Sequence, residues 1–197
     1  MRVRTLLVVV AAALVLCAPA AFAQNLLTNG GFESGDFGPG WTSGGNCEFT
    51  QVVSGPFYVY NGAQEGSFYV TGGAVSSPAT ISQTFNDVAG GSYSLSFWMN
   101  SVGDDPSFFS VSINGNTLLS QSDPSTGGNW TEFTFNFTGS GTDTVTFQIQ
   151  DDPEYIALDN VSVTENGGTT VPEPSSLMLM GSGVLGLAGI VRRKMRG

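Results

Sequence analysis

The stretch Tyr93-Ser94-Leu95-Ser96-Phe97-Trp98-Met99-Asn100 decides the fold class. Tyr93, Leu95, Phe97 and Met99 fall on one side of an extended chain, and Ser94, Ser96, Trp98 and Asn100 on the other. A period of two means a half-buried β-strand. The same rule recurs outward from it. Phe109, Val111 and Ile113 obey it, as do Phe133, Phe135 and Phe137, then Val145, Phe147 and Ile149. Asn114-Gly115 separates two such runs, and that pair accepts the positive φ angles of a type I′ hairpin turn. Further strands are expected near Phe49 to Val53, Ser67 to Thr71, Thr80 to Phe85 and Tyr155 to Thr164. Nine or ten short strands with no helical period and no internal repeat predict an all-β domain, an antiparallel β-sandwich.

The last run breaks its own pattern. Ile156 and Leu158 are apolar at even positions, Val161 and Val163 at odd ones. One extra residue across Asp159-Asn160 predicts a β-bulge, which can re-aim a carboxylate.

Charge excludes whole classes of function. The 197-residue chain has 16 acids, 6 bases and no histidine. All six bases are terminal: Arg2, Arg4, Arg192, Arg193, Lys194 and Arg196. Residues 24–170 therefore carry 15 acids and no cation. Imidazole catalysis, Schiff-base chemistry and phosphate clamping have no residues to use. Nucleic acid is excluded as a partner by the lack of any basic patch. Asp104-Asp105 and Asp151-Asp152-Pro153-Glu154 pair carboxylates. Adjacent acids diverge in extended chain, however, and no cation tunes them, so a hydrolase is the least favoured reading.

Both ends read as targeting segments. Arg2 and Arg4 precede the apolar run Leu6 to Leu16, and Ala21-Phe22-Ala23 follows. This predicts a signal peptide over 1–23, cleaved after Ala23. The rival lipoprotein reading needs a small residue before Cys17, where Leu16 stands. Cys47 is then the one cysteine of the exported chain; it is read as a small part-buried hydrophobe, with a bridge between chains as the alternative. A β-sandwich domain over 24–165 is expected, then a polar linker at 166–170. The tail, 171–197, holds Pro172-Glu173-Pro174, an apolar segment at 177–191 and a basic end at 192–197. That segment spans about 22 Å as a helix, short of the ~30 Å hydrocarbon core. Membrane contact is expected only through it, before processing, with the basic end cytoplasmic.

The order Pro-Glu-Pro, Gly-rich apolar stretch, arginine cluster resembles the PEP-CTERM sorting signal of exopolysaccharide-producing bacteria. The resemblance implies that an exosortase, a membrane transpeptidase, reads Pro172, Glu173 and Pro174 and removes the tail. The protein would then lie at the cell surface or in the extracellular matrix. A plain C-terminal anchor is the alternative.

Asn25-Leu26-Leu27-Thr28-Asn29-Gly30-Gly31-Phe32-Glu33, followed by Gly40-Trp41, resembles the opening of galactose-binding-like jelly rolls, several carbohydrate-binding modules among them. Ile156 to Val163 resembles their closing strand, and Ala63 to Ser67 a recurrent early one. The resemblance implies a structural calcium joining first and last strands, with Glu33 and Asp159 as ligands and a carbonyl near Glu65 as a third. Calcium's demand for hard oxygens agrees with an acidic domain that has no internal cation.

A sugar platform is a second candidate site. Trp98 stands on the polar side of its strand, and Asn100, Asn136, Gln148 and Gln150 share a polar face if neighbouring strands align. Sugar C–H groups stack on an indole while amides bind hydroxyls. Trp41 and Trp130 are expected to seal the sandwich ends. Phe57, Tyr58 and Tyr60, around Pro56, form either a binding edge or a folded-over lid. Asn129-Trp130-Thr131, Asn136-Phe137-Thr138 and Asn160-Val161-Ser162 match glycosylation sequons and are read as strand composition. The expected function is an exported, non-catalytic surface or matrix protein that binds polysaccharide. A structural coat protein without a specific glycan is the alternative.

Overall fold

In the computed structural model, residues 24–167 are described; the signal peptide expected at 1–23, most of the linker expected at 166–170 and the whole sorting segment expected at 171–197 lie outside them. Ten strands follow in chain order: β1 Thr42–Gly45, β2 Thr50–Ser54, β3 Phe68–Gly72, β4 Ala79–Asn86, β5 Ser92–Asn100, β6 Ser107–Ile113, β7 Asn116–Ser122, β8 Thr131–Thr138, β9 Thr142–Asp151 and β10 Ile156–Glu165. There is no helix among the described residues. One sheet runs β1-β4-β9-β6-β7 and the other β2-β3-β10-β5-β8, every pairing antiparallel.

Period-two alternation becomes burial. Along β5, Tyr93, Leu95, Phe97 and Met99 are buried; along β9, Val145, Phe147 and Ile149 are. The two rows meet between the sheets. Phe97 lies edge-on to Phe147 at 5.2 Å and stacks on Phe133 of edge strand β8 at 5.5 Å. Aromatic pairs at such spacing add about 0.5–1.5 kcal/mol beyond the area they bury. Asn114 and Gly115 both take positive φ, 49° and 79°, between β6 and β7, as a type I′ turn requires.

The break in β10 is a bulge. Trp98 pairs with Asp159, but Ser96 pairs with Ser162, so two residues of β10, Asn160 and Val161, oppose Phe97 alone on β5. Asn160 absorbs the extra length at φ 48°. The opening segment docks on this irregularity. Asn25 donates its amide to Val161 O at 3.0 Å and accepts the Val163 N–H at 2.9 Å. Val161 N–H bonds Gly30 O, and a Cβ at Gly30 would stand 2.0 Å from Val161 O. Glycine is required there for close approach. The opening motif thus exists to close the sandwich against its last strand.

Candidate functional site

Three acids meet where the opening segment, the 63–68 turn and the bulge come together. Both Glu33 carboxylate oxygens accept the Ser67 N–H, at 2.9 and 3.1 Å, and Oε1 also accepts the Phe68 N–H at 2.9 Å. Asp159 is fully buried. Its Oδ2 accepts N–H groups of Gln64 and Glu65, and its Oδ1 that of Asn160. Asn160 returns its side-chain amide to Gln64 Oε1 and Glu65 Oε2, both at 3.1 Å. Main-chain donors therefore do much of the tying that calcium was expected to do. Burial pushes the Asp159 carboxyl up to about 6, against the pull of those three N–H donors; the charge of Glu33 adds to the rise.

The donor set still fits a hard cation in part. Gly31, Glu33, Glu65, Gly66 and Asn160 line one cavity of about 300 Å³. Glu33 and Glu65 are the carboxylates there, and an oxygen that accepts one N–H retains a second lone pair. Asp159 faces the turn and is not part of the lining. No group of three or more acids, cysteines or histidines among the described residues is gathered to hold a metal.

The expected sugar platform divides. Trp98, Asn100 and Asn136 belong to the sheet of β5 and β8, while Gln148 and Gln150 belong to β9 in the other sheet. Gln148 and Gln150 alternate with the buried residues of β9 and so face outward on the opposite side of the sandwich. The expectation of one common face is therefore corrected: alternation sets the face within a sheet but not which sheet a strand joins. Asn100 is corrected too. It is only 4 % exposed, beneath the 124–128 turn, with Thr126 Oγ1 on its Oδ1.

Trp98 and Asn136 remain together on one outer surface. Trp98 is half-buried and registers against Glu132 of β8, two positions from the Ser96–Thr134 pair and four from Ser94–Asn136. Glu132, Thr134 and Asn136 are exposed. The other tryptophans are structural, as expected: Trp41 donates to Asn29 O in the core, and Trp130 to Gly62 O with its ring edge-on to Tyr69. No such bond holds the indole of Trp98 among the described residues.

The aromatic turn is mostly lid. Phe57, Tyr60, Ala63, Trp130 and Tyr155 pack with Tyr69 and Ala157 over the outer face of β3 and β10. Tyr58, 62 % exposed, projects from it. Sequence reasoning missed what lies beside Tyr60. Asp151 is 1 % exposed, continues the inward row of β9, and neither of its carboxylate oxygens meets a side-chain donor among the described residues. The signal was present: Val145, Phe147 and Ile149 point in, and the same parity reaches Asp143 on one side and Asp151 on the other.

Known proteins agree with this architecture. A family model described as a carbohydrate binding domain matches residues 24–154. A second, the PEP-CTERM protein-sorting motif, matches 170–194. No curated protein matches the chain. Among solved structures, TmCBM61 in complex with β-1,4-galactotriose is 19 % identical, with TM-score 0.59, covering 73 % of this chain and all of that one. The CBM22-1 xylan-binding domain of Paenibacillus barcinonensis Xyn10C is 17 % identical with TM-score 0.50, covering 74 % and 97 %. The tailspike protein 4 domain of bacteriophage CBA120 is 18 % identical with TM-score 0.54; this chain covers 21 % of it, with 72 % of its own length aligned.

Proposed function

The chain belongs to the carbohydrate binding domain family and carries a PEP-CTERM sorting motif; from these premises we propose that it is an exported, non-catalytic protein that holds polysaccharide at the cell surface or in the extracellular matrix. An exosortase would process it at Pro172-Glu173-Pro174. The sugar would lie along the outer face of β5 and β8. Trp98 would stack on a pyranose ring, with Glu132, Thr134 and Asn136 bonding hydroxyls. The observation that carries this reading is the half-buried Trp98 indole, unbonded among the described residues, beside exposed polar side chains in register. The fold neighbours solved with β-1,4-galactotriose or described as xylan-binding support a β-linked polysaccharide as the ligand class. Calcium in the Glu33–Glu65 cavity would supply charge neutralisation and tie the opening segment to the bulge.

The test is a glycan array on the full chain, followed by Trp98→Ala. A platform contributes to binding rather than to the core, so affinity should fall at least about tenfold, the factor for 1.4 kcal/mol. The melting temperature should stay within about 2–4 °C, the shift for 1 kcal/mol in a domain of roughly this size. A variant that unfolds, or one that binds as tightly as the parent, rejects the platform.

A further inference from the structure

Four asparagines of the described residues stand directly before a glycine: Asn29, Asn61, Asn114 and Asn166. That pair is chemically labile, because glycine has no Cβ to keep its main-chain nitrogen away from the asparagine side chain. The fold restrains three of the four amides. Asn29 donates to Ser34 Oγ, Asp36 O and Gly38 O, and accepts the Ser34 N–H. Asn114 donates to Ser140 Oγ and Asp143 Oδ1, and accepts the Thr144 N–H. Asn166 donates to Ser92 Oγ and Asn136 Oδ1. Asn61 is exposed, and its side chain has no hydrogen-bond partner among the described residues. The Gly62 N–H has none there either. Space is open beside it: beyond the adjoining residues, a Cβ at Gly62 would find nothing nearer than the Gly55 carbonyl at 3.9 Å, whereas one at Gly30 would meet Val161 O at 2.0 Å. Gly115 and Gly167 are as open as Gly62, so the held amide is what sets Asn114 and Asn166 apart.

We propose that Asn61 is a site of spontaneous modification, converting through a cyclic imide to aspartyl and isoaspartyl forms that loosen the aromatic lid. Hydroxide takes the proton of the Gly62 N–H, and the nitrogen attacks Asn61 Cγ. The N–Cγ bond forms, the Cγ–Nδ2 bond breaks, and the leaving group takes a proton from water and departs as ammonia. A water molecule then opens the ring at either carbonyl. Opening at Cγ leaves aspartate; opening at the main-chain carbonyl leaves a backbone that runs through Cβ and Cγ and is one carbon longer. Nothing is oxidised or reduced. Either product places a new carboxylate in a domain with no cation to pair it. The extra carbon lies between Tyr60, 2 % exposed within the lid, and Gly62, whose carbonyl accepts the Trp130 indole N–H at 3.2 Å. A longer backbone displaces that carbonyl, so the isoaspartyl form gives up the tie between the lid and the start of β8.

The experiment holds the full chain at pH 8 for several weeks, well below its melting temperature. Digestion then uses pepsin in acid, since residues 24–170 offer trypsin no lysine or arginine. Mass spectrometry reads amide loss at each of the four sites, and isoaspartate methyltransferase marks the isoaspartyl product. Conversion at Asn61 should outpace that at Asn29 and Asn114 at least about tenfold, the factor for 1.4 kcal/mol, since each restraining bond must first be released. In denaturant the four rates should converge, because the fold no longer distinguishes the pairs. Asn61→Gln should remove the first acidic species seen on anion exchange. The isoaspartyl fraction should melt about 2–4 °C below the parent, the shift for roughly one lost hydrogen bond in a domain of this size. The proposal is overturned by an intact Asn61, by conversion there no faster than at Asn29 and Asn114, by the same ranking in denaturant, by survival of that acidic species in Asn61→Gln, or by an isoaspartyl fraction that melts with the parent. None of these results depends on whether the protein binds a glycan.

Discussion

Strand β9 carries a buried aspartate at each end of one inward row, Asp143 and Asp151, each 1 % exposed. The chain treats them in opposite ways. Asp143 accepts the Asn114 amide, the Ser140 hydroxyl and the Ser140 N–H. Burial alone would raise its pKa, but the bonds from Ser140, Asp87 and Asn114 outweigh it, and the net shift is down. Asp151 meets no side-chain donor among the described residues, and burial, then the charges of Asp104 and Glu154, push it up to about 7 against the weaker pull of the Asp152 N–H. The hairpin turn at Asn114 and the turn at Ser140 close one end with the protein's own donors. At the other end the hydroxyls of Ser107 and Tyr60 go to main-chain carbonyls, and the side chains whose charges reach Asp151 are acids. A domain without cations can bury a carboxylate stably only where turns deliver N–H and O–H groups; elsewhere it needs a proton or an ion from outside.

The contrast is broken most forcefully at its satisfied end. Asp143→Ala strands the donors of Asn114 and Ser140 in a buried place and leaves Asp87 without its partner. Breaking such a network costs about 3 kcal/mol. In a domain of this size that lowers the melting temperature by roughly 6–12 °C. A thermal scan showing no loss would mean that the donors at this end contribute nothing, and the contrast would collapse.

At the other end the same kind of change should have the opposite sign. Asp151→Asn removes a buried charge while retaining shape. Without divalent cations at pH 8, it should stabilise the fold by about 1–2 kcal/mol, since replacing an uncompensated buried charge is favourable. Denaturant midpoints in a chelating buffer measure this. A destabilised variant would show that Asp151 has a partner after all.

Much of the fold was legible because alternation encodes burial directly. The rows of β5 and β9, the Asn114-Gly115 turn and the bulge at Asp159-Asn160 were all written in local pattern. Strand β1, Thr42–Gly45, left no such trace, because two of its four residues are glycines and its side chains are mostly exposed. Site geometry was less legible. Whether Gln148 stands beside Trp98 depends on which sheet β9 joins, a long-range choice that alternation does not record. Asn100 was lost to a turn that folds over it from 24 residues further along the chain or more. The demand at Asp151 required two facts together: inward parity, which is local, and the lack of a side-chain donor among the described residues, which depends on how distant loops come together.

The smallest expected effect sharpens the contrast through pH. A carboxyl whose folded pKa is raised holds its proton more tightly folded than unfolded. Its stabilising contribution is therefore complete below the unfolded value and is lost as pH climbs through the folded one. For Asp151 the window runs from the ordinary 3.8 to about 7, and for Asp159 from 3.8 to about 6. Asp87 is raised by burial and by its bond to Asp143, while Asp143 is lowered, so the two oppose each other in the profile. In chelating buffer the unmodified chain should lose stability steadily from pH 4.5 to 7.5, windows that follow from those two raised groups. In Asp151→Asn the decline should stop near pH 6, where the Asp159 window ends. What remains below that pH is the titration of Asp159, one raised carboxyl in place of two, and so the lesser slope. Chemical denaturation of both proteins across this range reads the difference. If the two profiles stay parallel above pH 6, Asp151 does not titrate there, and the asymmetry between the two ends of β9 has another origin.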